Sequence, residues 1–133
     1  MSAVVADTHT VLWYLTDDPV ISPAALTALD QAAAADEPIF VPSICIVETT
    51  YLVEKGRVPA PLLVRLDQVL AEGDFAFRIA PLTLEVAVAL RWVPRDAIPD
   101  LPDRAIAATA LSLGLPLVTR DEKIRASGIK TIW

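Results

Sequence analysis

The chain has 133 residues, enough for a single hydrophobic core, and we expect one domain over residues 1–133. Although 54% of the residues are hydrophobic, no stretch approaches the roughly 18 consecutive apolar residues of a membrane-spanning helix, and the N-terminus does not resemble a signal peptide. The net charge of −6 argues against a general binder of polyanions, and the single cysteine, Cys45, suits a reducing cytoplasm, where we expect the protein to reside.

Short apolar runs alternate with helical patterns along the chain. Serine followed by proline at Ser22-Pro23 is a favourable helix start, and glycines mark several helix ends. The predicted strands are residues 3–6, 39–41, 77–80, 116–119 and the final segment 130–133. The predicted helices are Thr8 to about Leu15, 24–35, one opened by Pro42-Ser43 and closed by Gly56, 60–73, 83–92, and one from Asp103 to Gly114. A proline-rich loop is predicted at 93–102, and a short turn at 120–128.

This alternation predicts the class of fold. Each strand is short and continuously apolar, which is typical of a parallel sheet that is covered on both faces. Helices between such strands supply the two covering layers. We therefore predict a three-layer α/β/α sandwich with a short, mainly parallel central sheet.

Two aspartates follow predicted strands. Asp7 comes directly after residues 3–6, and Asp121 comes two residues after 116–119. In open α/β sheets, ligands bind outside the carboxyl ends of the strands, so both side chains are candidates for a binding site. Each aspartate is equally well explained as the N-cap of the next helix.

Glu48 lies within a helix whose neighbours in the helical pattern are apolar. Ile44, Cys45, Tyr51 and Leu52 stand three and four residues away, so we expect Glu48 to point toward the core. A buried carboxylate persists only if it is protonated, paired or bound to a metal. The structural alternative to a metal is an ion pair with a distant arginine, for example Arg104.

Asp103 begins an apolar helix, and Asp100 precedes it by one turn. Asp103 can serve both as helix cap and as metal ligand, and Asp100 is close enough to reach the same site. Four or five converging carboxylates repel one another, and Mg²⁺ or Mn²⁺ relieves that repulsion. Zinc is a poor candidate because one cysteine and one histidine cannot supply its usual ligands.

A metal held by carboxylates can activate water for phosphodiester cleavage. RNA or DNA could approach such an acidic pocket only with the metal loaded and with basic residues around the rim. The second half of the chain provides basic residues, since residues 67–133 hold 8 lysines and arginines against 3 in residues 1–66. The composition of the site favours a nuclease, but carboxylates alone do not separate nucleases from phosphatases.

Several segments, taken together, resemble a known family. They are VVADTHTVLW at residues 4–13, Glu48 in the third helix, PDLPDRAIAATAL at 99–111, LPLVTRDEKI at 115–124 and the final KTIW. They are similar, in the same order, to PIN-domain ribonucleases, and especially to VapC-type toxins of bacterial toxin–antitoxin pairs. The resemblance spans essentially the whole chain and implies a single PIN-like nuclease domain.

The resemblance also implies roles for residues. It implies a metal-dependent endoribonuclease toxin in which an acidic quartet binds Mg²⁺ or Mn²⁺ and hydrolyses RNA phosphodiester bonds. The quartet, the auxiliary acid and the pocket hydroxyl correspond here to Asp7, Glu48, Asp103 and Asp121, then Asp100, then Thr119. Arg104, next to Asp103, is expected to orient the carboxylates. Several relatives carry histidine and proline where this chain has Ile98 and Leu101, which leaves the choice of substrate open.

The family likeness further implies a homodimer and a cognate VapB-like antitoxin that blocks the pocket. The high apolar content agrees with burial of a face against another chain. For His9 we favour a packing or surface role over metal ligation. Trp13, Tyr14 and Trp92 are able to stack on bases, but for each we favour packing in the core or at the dimer contact.

Two other functions are alternatives to a nuclease. A phosphoacceptor receiver domain would need adjacent acids after the first strand and an acceptor aspartate after a middle strand, which this chain lacks. A catalytically silent PIN-like module that binds RNA or protein is the remaining alternative, and the intact set of acids argues against it.

Overall fold

The computed structural model describes residues 3–73 and 76–133. Its strands are β1 (Val4–Ala6), β2 (Ile39–Pro42), β3 (Phe77–Ala80), β4 (Leu117–Val118) and β5 (Thr131–Ile132). Its helices are α1 (Thr8–Leu15), α2 (Pro23–Ala34), α3 (Ile44–Glu54), α4 (Ala60–Glu72), α5 (Leu84–Ala89), α6 (Leu101–Leu113) and α7 (Glu122–Arg125), and a 3₁₀ turn spans Leu90–Trp92. Within these residues, no helix is both long and apolar enough to cross a membrane.

The five strands form one sheet in the order β3-β2-β1-β4-β5, and each neighbouring pair is parallel. Val5 lies at the centre of the sheet, opposite Phe40 on one side and Leu117 on the other. The chain adds β2 and β3 on one side of β1 but β4 and β5 on the other. The order of the strands therefore reverses between β1 and β4, where parallel sheets leave a crevice at their carboxyl ends.

The central strands are covered on both faces. Successive side chains of a strand point to opposite faces, yet Val4, Val5 and Ala6 are all at most 3% exposed. Leu117 and Val118 of β4 are also fully buried. The edge strand β3 differs, because Arg78 and Ile79 are exposed. The predicted three-layer α/β/α sandwich is confirmed, and the sheet is parallel throughout its described pairs.

Aspartate, serine and threonine side chains cap the starts of several helices. Each accepts a hydrogen bond from a backbone N–H in the first turn, which satisfies a donor that the helix itself leaves free. The capping residues are Asp7 for α1, Ser22 for α2, Thr83 for α5, Asp100 for α6 and Asp121 for α7. Three of these five caps are aspartates that the sequence also marked as candidate ligands.

The start of α6 differs from the prediction. The helix begins at Leu101 rather than Asp103, and its cap is Asp100, whose Oδ2 accepts the backbone N–H of Asp103 at 3.2 Å. Pro102 does not stop the helix, because the first turn requires no N–H from it. Asp103 is therefore not the cap that we expected, and its carboxylate is free for another role.

Two other segments also differ. The predicted helix 83–92 divides into α5 and the 3₁₀ turn that follows it. The predicted turn at 120–128 contains the short helix α7, which is capped by Asp121. Four residues are too few for a helical pattern to show in the sequence.

Candidate metal centre at the carboxyl ends of β1 and β4

A pocket of about 400 Å³ opens at the crevice between β1 and β4. It contains every acidic residue that the sequence marked as a ligand. Its lining residues, which define the carboxylate pocket, are Asp7, Thr8, His9, Trp13, Glu48, Asp100, Asp103, Ile106, Arg120 and Asp121. The fold thus brings together side chains that are more than 100 positions apart in the chain.

Asp7 is both a helix cap and part of the pocket. Its Oδ1 accepts the backbone N–H of Thr10 at 3.0 Å, which caps α1. Its Oδ2 accepts a hydrogen bond from the hydroxyl of Thr119. The two interpretations of Asp7 are therefore compatible, because different oxygens serve the cap and the contact with β4.

Thr119 is fully buried and connects two of the acids. While it donates to Asp7, its Oγ1 accepts the backbone N–H of Asp121 at 3.1 Å. Asp121 in turn caps α7 by accepting from the N–H of Ile124 at 2.9 Å. One hydroxyl therefore fixes the spacing between the ends of β1 and β4.

Glu48 is half-buried, and its side chain faces the pocket rather than the hydrophobic core. Its Oε1 accepts a hydrogen bond of 2.6 Å from the hydroxyl of Thr8, which is only 2% exposed. The prediction that Glu48 lies among buried apolar side chains is wrong for Tyr51, which is 61% exposed. The contact between Thr8 and Glu48 could not be predicted from local sequence, since the two residues are 40 positions apart.

Three carboxylates form a tight group. One oxygen from each of Glu48, Asp100 and Asp103 lies within 4.8 Å of the others. Asp7 and Asp121 line the same pocket but lie outside this group. The three close oxygens are the described atoms best placed to share one cation.

The pKa of Asp103 is raised from its usual 3.8 to about 7. Burial is the largest cause, and the negative charges of Asp100, Asp121, Glu48 and Asp7 follow. Burial also raises the pKa of the Cys45 thiol beneath the site, and the nearby carboxylates add to that effect. The pocket therefore disfavours further negative charge, as expected of a site that takes a cation.

These ligands suit a hard divalent cation. All are carboxylate oxygens, which are the ligands preferred by Mg²⁺ and Mn²⁺. The pocket lining contains no cysteine, and its one histidine, His9, has its ring 5.5 Å from that of Trp13. The donor set observed in the pocket is therefore consistent with the ion class predicted from the sequence.

Arg104 does not contact the carboxylates as we expected. Its Nε and one terminal nitrogen donate to the carbonyl oxygen of Val93 at 3.2 and 2.9 Å, and the same terminal nitrogen donates to that of Leu90 at 3.0 Å. These contacts tie α6 to the end of the 3₁₀ turn. Arg104 positions the segment before Asp100 and Asp103 rather than their side chains.

The rim of the pocket carries residues that the sequence did not single out for the site. Arg120 follows Thr119, and its guanidinium lies 5.7 Å from the centre of the Trp13 ring. Trp13 lines the rim of the pocket and also packs against the core. Tyr14 instead donates a hydrogen bond of 2.8 Å to Asp30, and Trp92 is 73% exposed outside the carboxylate pocket.

Comparisons with known proteins agree with this geometry. A family model described as PIN domain matches residues 4–129, which include every acid of the carboxylate pocket. Ribonuclease VapC22 of Mycobacterium tuberculosis is 35% identical over 128 residues, covering 95% of this chain and 92% of that protein.

Two solved structures are similar in fold. A chain of VapBC2 from Rickettsia felis, bound to a DNA fragment from their promoter, has a TM-score of 0.71 at 17% identity and covers 97% of this chain and 96% of its own length. A chain of a toxin–antitoxin complex from Klebsiella pneumoniae has a TM-score of 0.64 at 20% identity and covers 98% of this chain and 96% of its own length.

Asp103→Asn should stabilise the metal-free protein at pH 8. Because the folded-state pKa of about 7 lies above the usual 3.8, ionisation of Asp103 lowers stability as pH rises from about 4 to about 7. After a discount for partial exposure we expect a gain on the order of 1 kcal/mol, or about 4 °C in Tm. At pH 4 the two proteins should melt within a degree or so of each other. Melting curves in EDTA test this, and equal Tm values at pH 8 would contradict it.

Thr119→Val should weaken metal binding without unfolding the protein. The valine keeps the volume but leaves Asp7 without its hydroxyl donor and the N–H of Asp121 without its acceptor. Supporting contacts of this kind typically change metal affinity about 10–100-fold. Calorimetry with Mn²⁺ measures the loss, and Thr119→Ser, which keeps the hydroxyl, is the matched control. Equal affinity in Thr119→Val and wild type would show that the hydroxyl does not position the acids.

Proposed function

The chain belongs to the PIN domain family, and we propose that it is a Mg²⁺- or Mn²⁺-dependent endoribonuclease that acts as the toxin of a toxin–antitoxin pair. The ribonuclease relative supports the activity. The observation that carries the proposal is the group of Glu48, Asp100 and Asp103 oxygens within 4.8 Å, in one pocket with Asp7 and Asp121. We assign catalytic roles to Asp7, Glu48, Asp103 and Asp121, with Asp100 as a further metal ligand.

When bound, a divalent cation would polarise the scissile phosphate and lower the pKa of an attacking water. The protein's part is to hold the ligands in place before RNA arrives, which avoids reorganisation during the reaction. Thr8 holds Glu48, and Thr119 holds Asp7 beside Asp121. The pKa of Asp103 is raised by burial and by the neighbouring acids, so this carboxyl would have to give up its proton to serve as a metal ligand.

The biological setting is part of the same proposal. We place the nuclease in the cytoplasm, as one domain over residues 1–133, with RNA as substrate. Its inhibitor is a cognate VapB-like antitoxin, by analogy with the toxin–antitoxin complexes that share its fold.

A homodimer belongs to the proposal as well. Large exposed hydrophobic side chains are concentrated between residues 82 and 101, on α5, the 3₁₀ turn and the start of α6. Leu84 is 77% exposed and Trp92 is 73% exposed. Apolar side chains gathered in this way are typical of a surface that another chain covers. A second copy would bury them by a symmetric contact, the commonest form of oligomer.

Leu84→Glu should convert the dimer into a monomer. A buried, unpaired glutamate on the shared face disfavours association, whereas the same charge on an isolated helix surface changes stability little. Light scattering on a sizing column measures the mass. Leu26→Glu, on the exposed side of α2, is the matched control and should stay dimeric. A monomeric wild type at micromolar concentration would contradict the proposed dimer.

Asp7→Asn should lower RNA cleavage by more than about 100-fold, which exceeds the usual effect of a supporting residue. Asparagine is also a good N-cap, so we expect α1 and the fold to be retained. The assay incubates mixed tRNA and rRNA with the protein in Mg²⁺ or Mn²⁺, and in EDTA. Asp67→Asn, an exposed acid on α4, is the matched control for charge.

Three results are informative. Discrete metal-dependent fragments from wild type and Asp67→Asn, absent with Asp7→Asn, support the nuclease. Full activity of Asp7→Asn contradicts the catalytic role of Asp7. Neither cleavage nor Mn²⁺ binding by the wild type would favour a catalytically silent PIN-like module that binds RNA or protein.

A further inference from the structure

Trp13 lies where the carboxylate pocket meets the surface. Its ring is half-buried, and it packs with its inner side against the core. His9 lies 5.5 Å and Trp133 lies 5.9 Å from it, measured between ring centres, and both rings are tilted relative to it. The rings of His9 and Trp133 therefore hold Trp13 in one orientation at the edge of the site.

Arg120 is the one lysine or arginine among the described residues that line the carboxylate pocket. Its backbone is fixed on both sides, because Thr119 bonds to Asp7 and Asp121 caps α7. Its side chain is exposed and lies over the Trp13 ring at 5.7 Å. That distance is within the roughly 6 Å reach of a cation–π contact, which is weak where the guanidinium is exposed to solvent.

These two residues have the chemistry that single-stranded RNA requires. An arginine pairs with a phosphate, and an aromatic ring stacks on any base without regard to its identity. The five acids in the pocket make a positive group beside them necessary for a phosphate to approach.

Building on the proposed function, we propose that Trp13 is a stacking platform for the nucleobase next to the scissile phosphate, and that Arg120 pairs with the adjacent phosphate. The guanidinium leaves the ring when RNA binds, and the base takes its place. A stacked base is a stronger contact than an exposed cation–π pair, so the exchange is favourable. Trp13 and Arg120 thereby become residues that set affinity for RNA, separate from the metal ligands.

The test measures binding without cleavage. Variants are built on Asp7→Asn, and the fluorescence anisotropy of fluorescein-labelled oligouridine is followed in Mg²⁺ at a series of KCl concentrations. Trp13→Leu should raise Kd about fivefold or more, the lower end of the contribution of one stacked base. The dependence of log Kd on log salt should keep its slope, because no phosphate contact is lost. Trp13→Phe, which keeps an aromatic face, should retain most of the affinity.

Arg120→Gln should behave differently. Loss of one phosphate contact on a single strand should reduce the salt slope by about 0.7. Arg120 is exposed, so this variant tests the proposal even if Trp13→Leu is unstable. Trp133→Phe, beside Trp13 but outside the pocket lining, is the matched control and should bind as the parent does.

The proposal would be overturned by an unchanged Kd in both Trp13 variants, or by an unchanged slope of log Kd against log salt in Arg120→Gln. Failure of the Asp7→Asn parent to bind oligouridine would also overturn it. In each case the proposed function survives if the wild type still cuts RNA with Mg²⁺ or Mn²⁺. Failure of that cleavage is the separate result that would overturn the nuclease.

Discussion

The acids of the carboxylate pocket repel one another, and the fold has to offset this repulsion for the site to form. The fold opposes this repulsion with neutral donors. Helix N-termini, which carry partial positive charge, receive Asp7, Asp100 and Asp121 as caps. Hydroxyls of Thr8 and Thr119 donate to the acids themselves. An arginine paired with each carboxylate would cancel the charge that attracts a cation. Neutral donors hold the carboxylates in place and leave that charge intact.

The order of the strands makes this arrangement possible. Because the sequence of strands reverses at β1, the ends of β1 and β4 are neighbours with no helix between them. The buried hydroxyl of Thr10 donates to the carbonyl oxygen of Val118 at 3.0 Å, which ties α1 to β4 beneath the pocket. The short strands are sufficient, since their task is to place Asp7 and Thr119 side by side. The start of α6, which carries Asp100 and Asp103, is held by Arg104, whose hydrogen bonds tie α6 to the preceding turn.

The sequence was sufficient to predict what depends on local patterns. The alternation of apolar runs and helices predicted the three-layer sandwich. The positions of Asp7 and Asp121 just after predicted strands indicated that both would lie at the carboxyl ends of the sheet. Glu48 was found because a charge in an apolar helix is unusual, although the structure places it at a pocket rather than in the core. The Thr8–Glu48 and Arg104–Val93 contacts could not be predicted, because each joins segments whose approach is set by tertiary packing. The cap of α6 was misplaced since Asp100 and Asp103 are equally good caps by composition.

The same charge distribution affects how RNA could approach the site. A phosphodiester is repelled by the five acids, and the one arginine of the lining cannot offset them. A divalent cation held by Glu48, Asp100 and Asp103 would reduce the negative charge of the pocket and would favour the ionised form of Asp103. With the proposed cation bound, RNA should bind more tightly, and by linkage the cation and RNA should each tighten the binding of the other by the same factor. The acids that repel one another in the folded protein are therefore the groups through which the proposed dependence on metal would act.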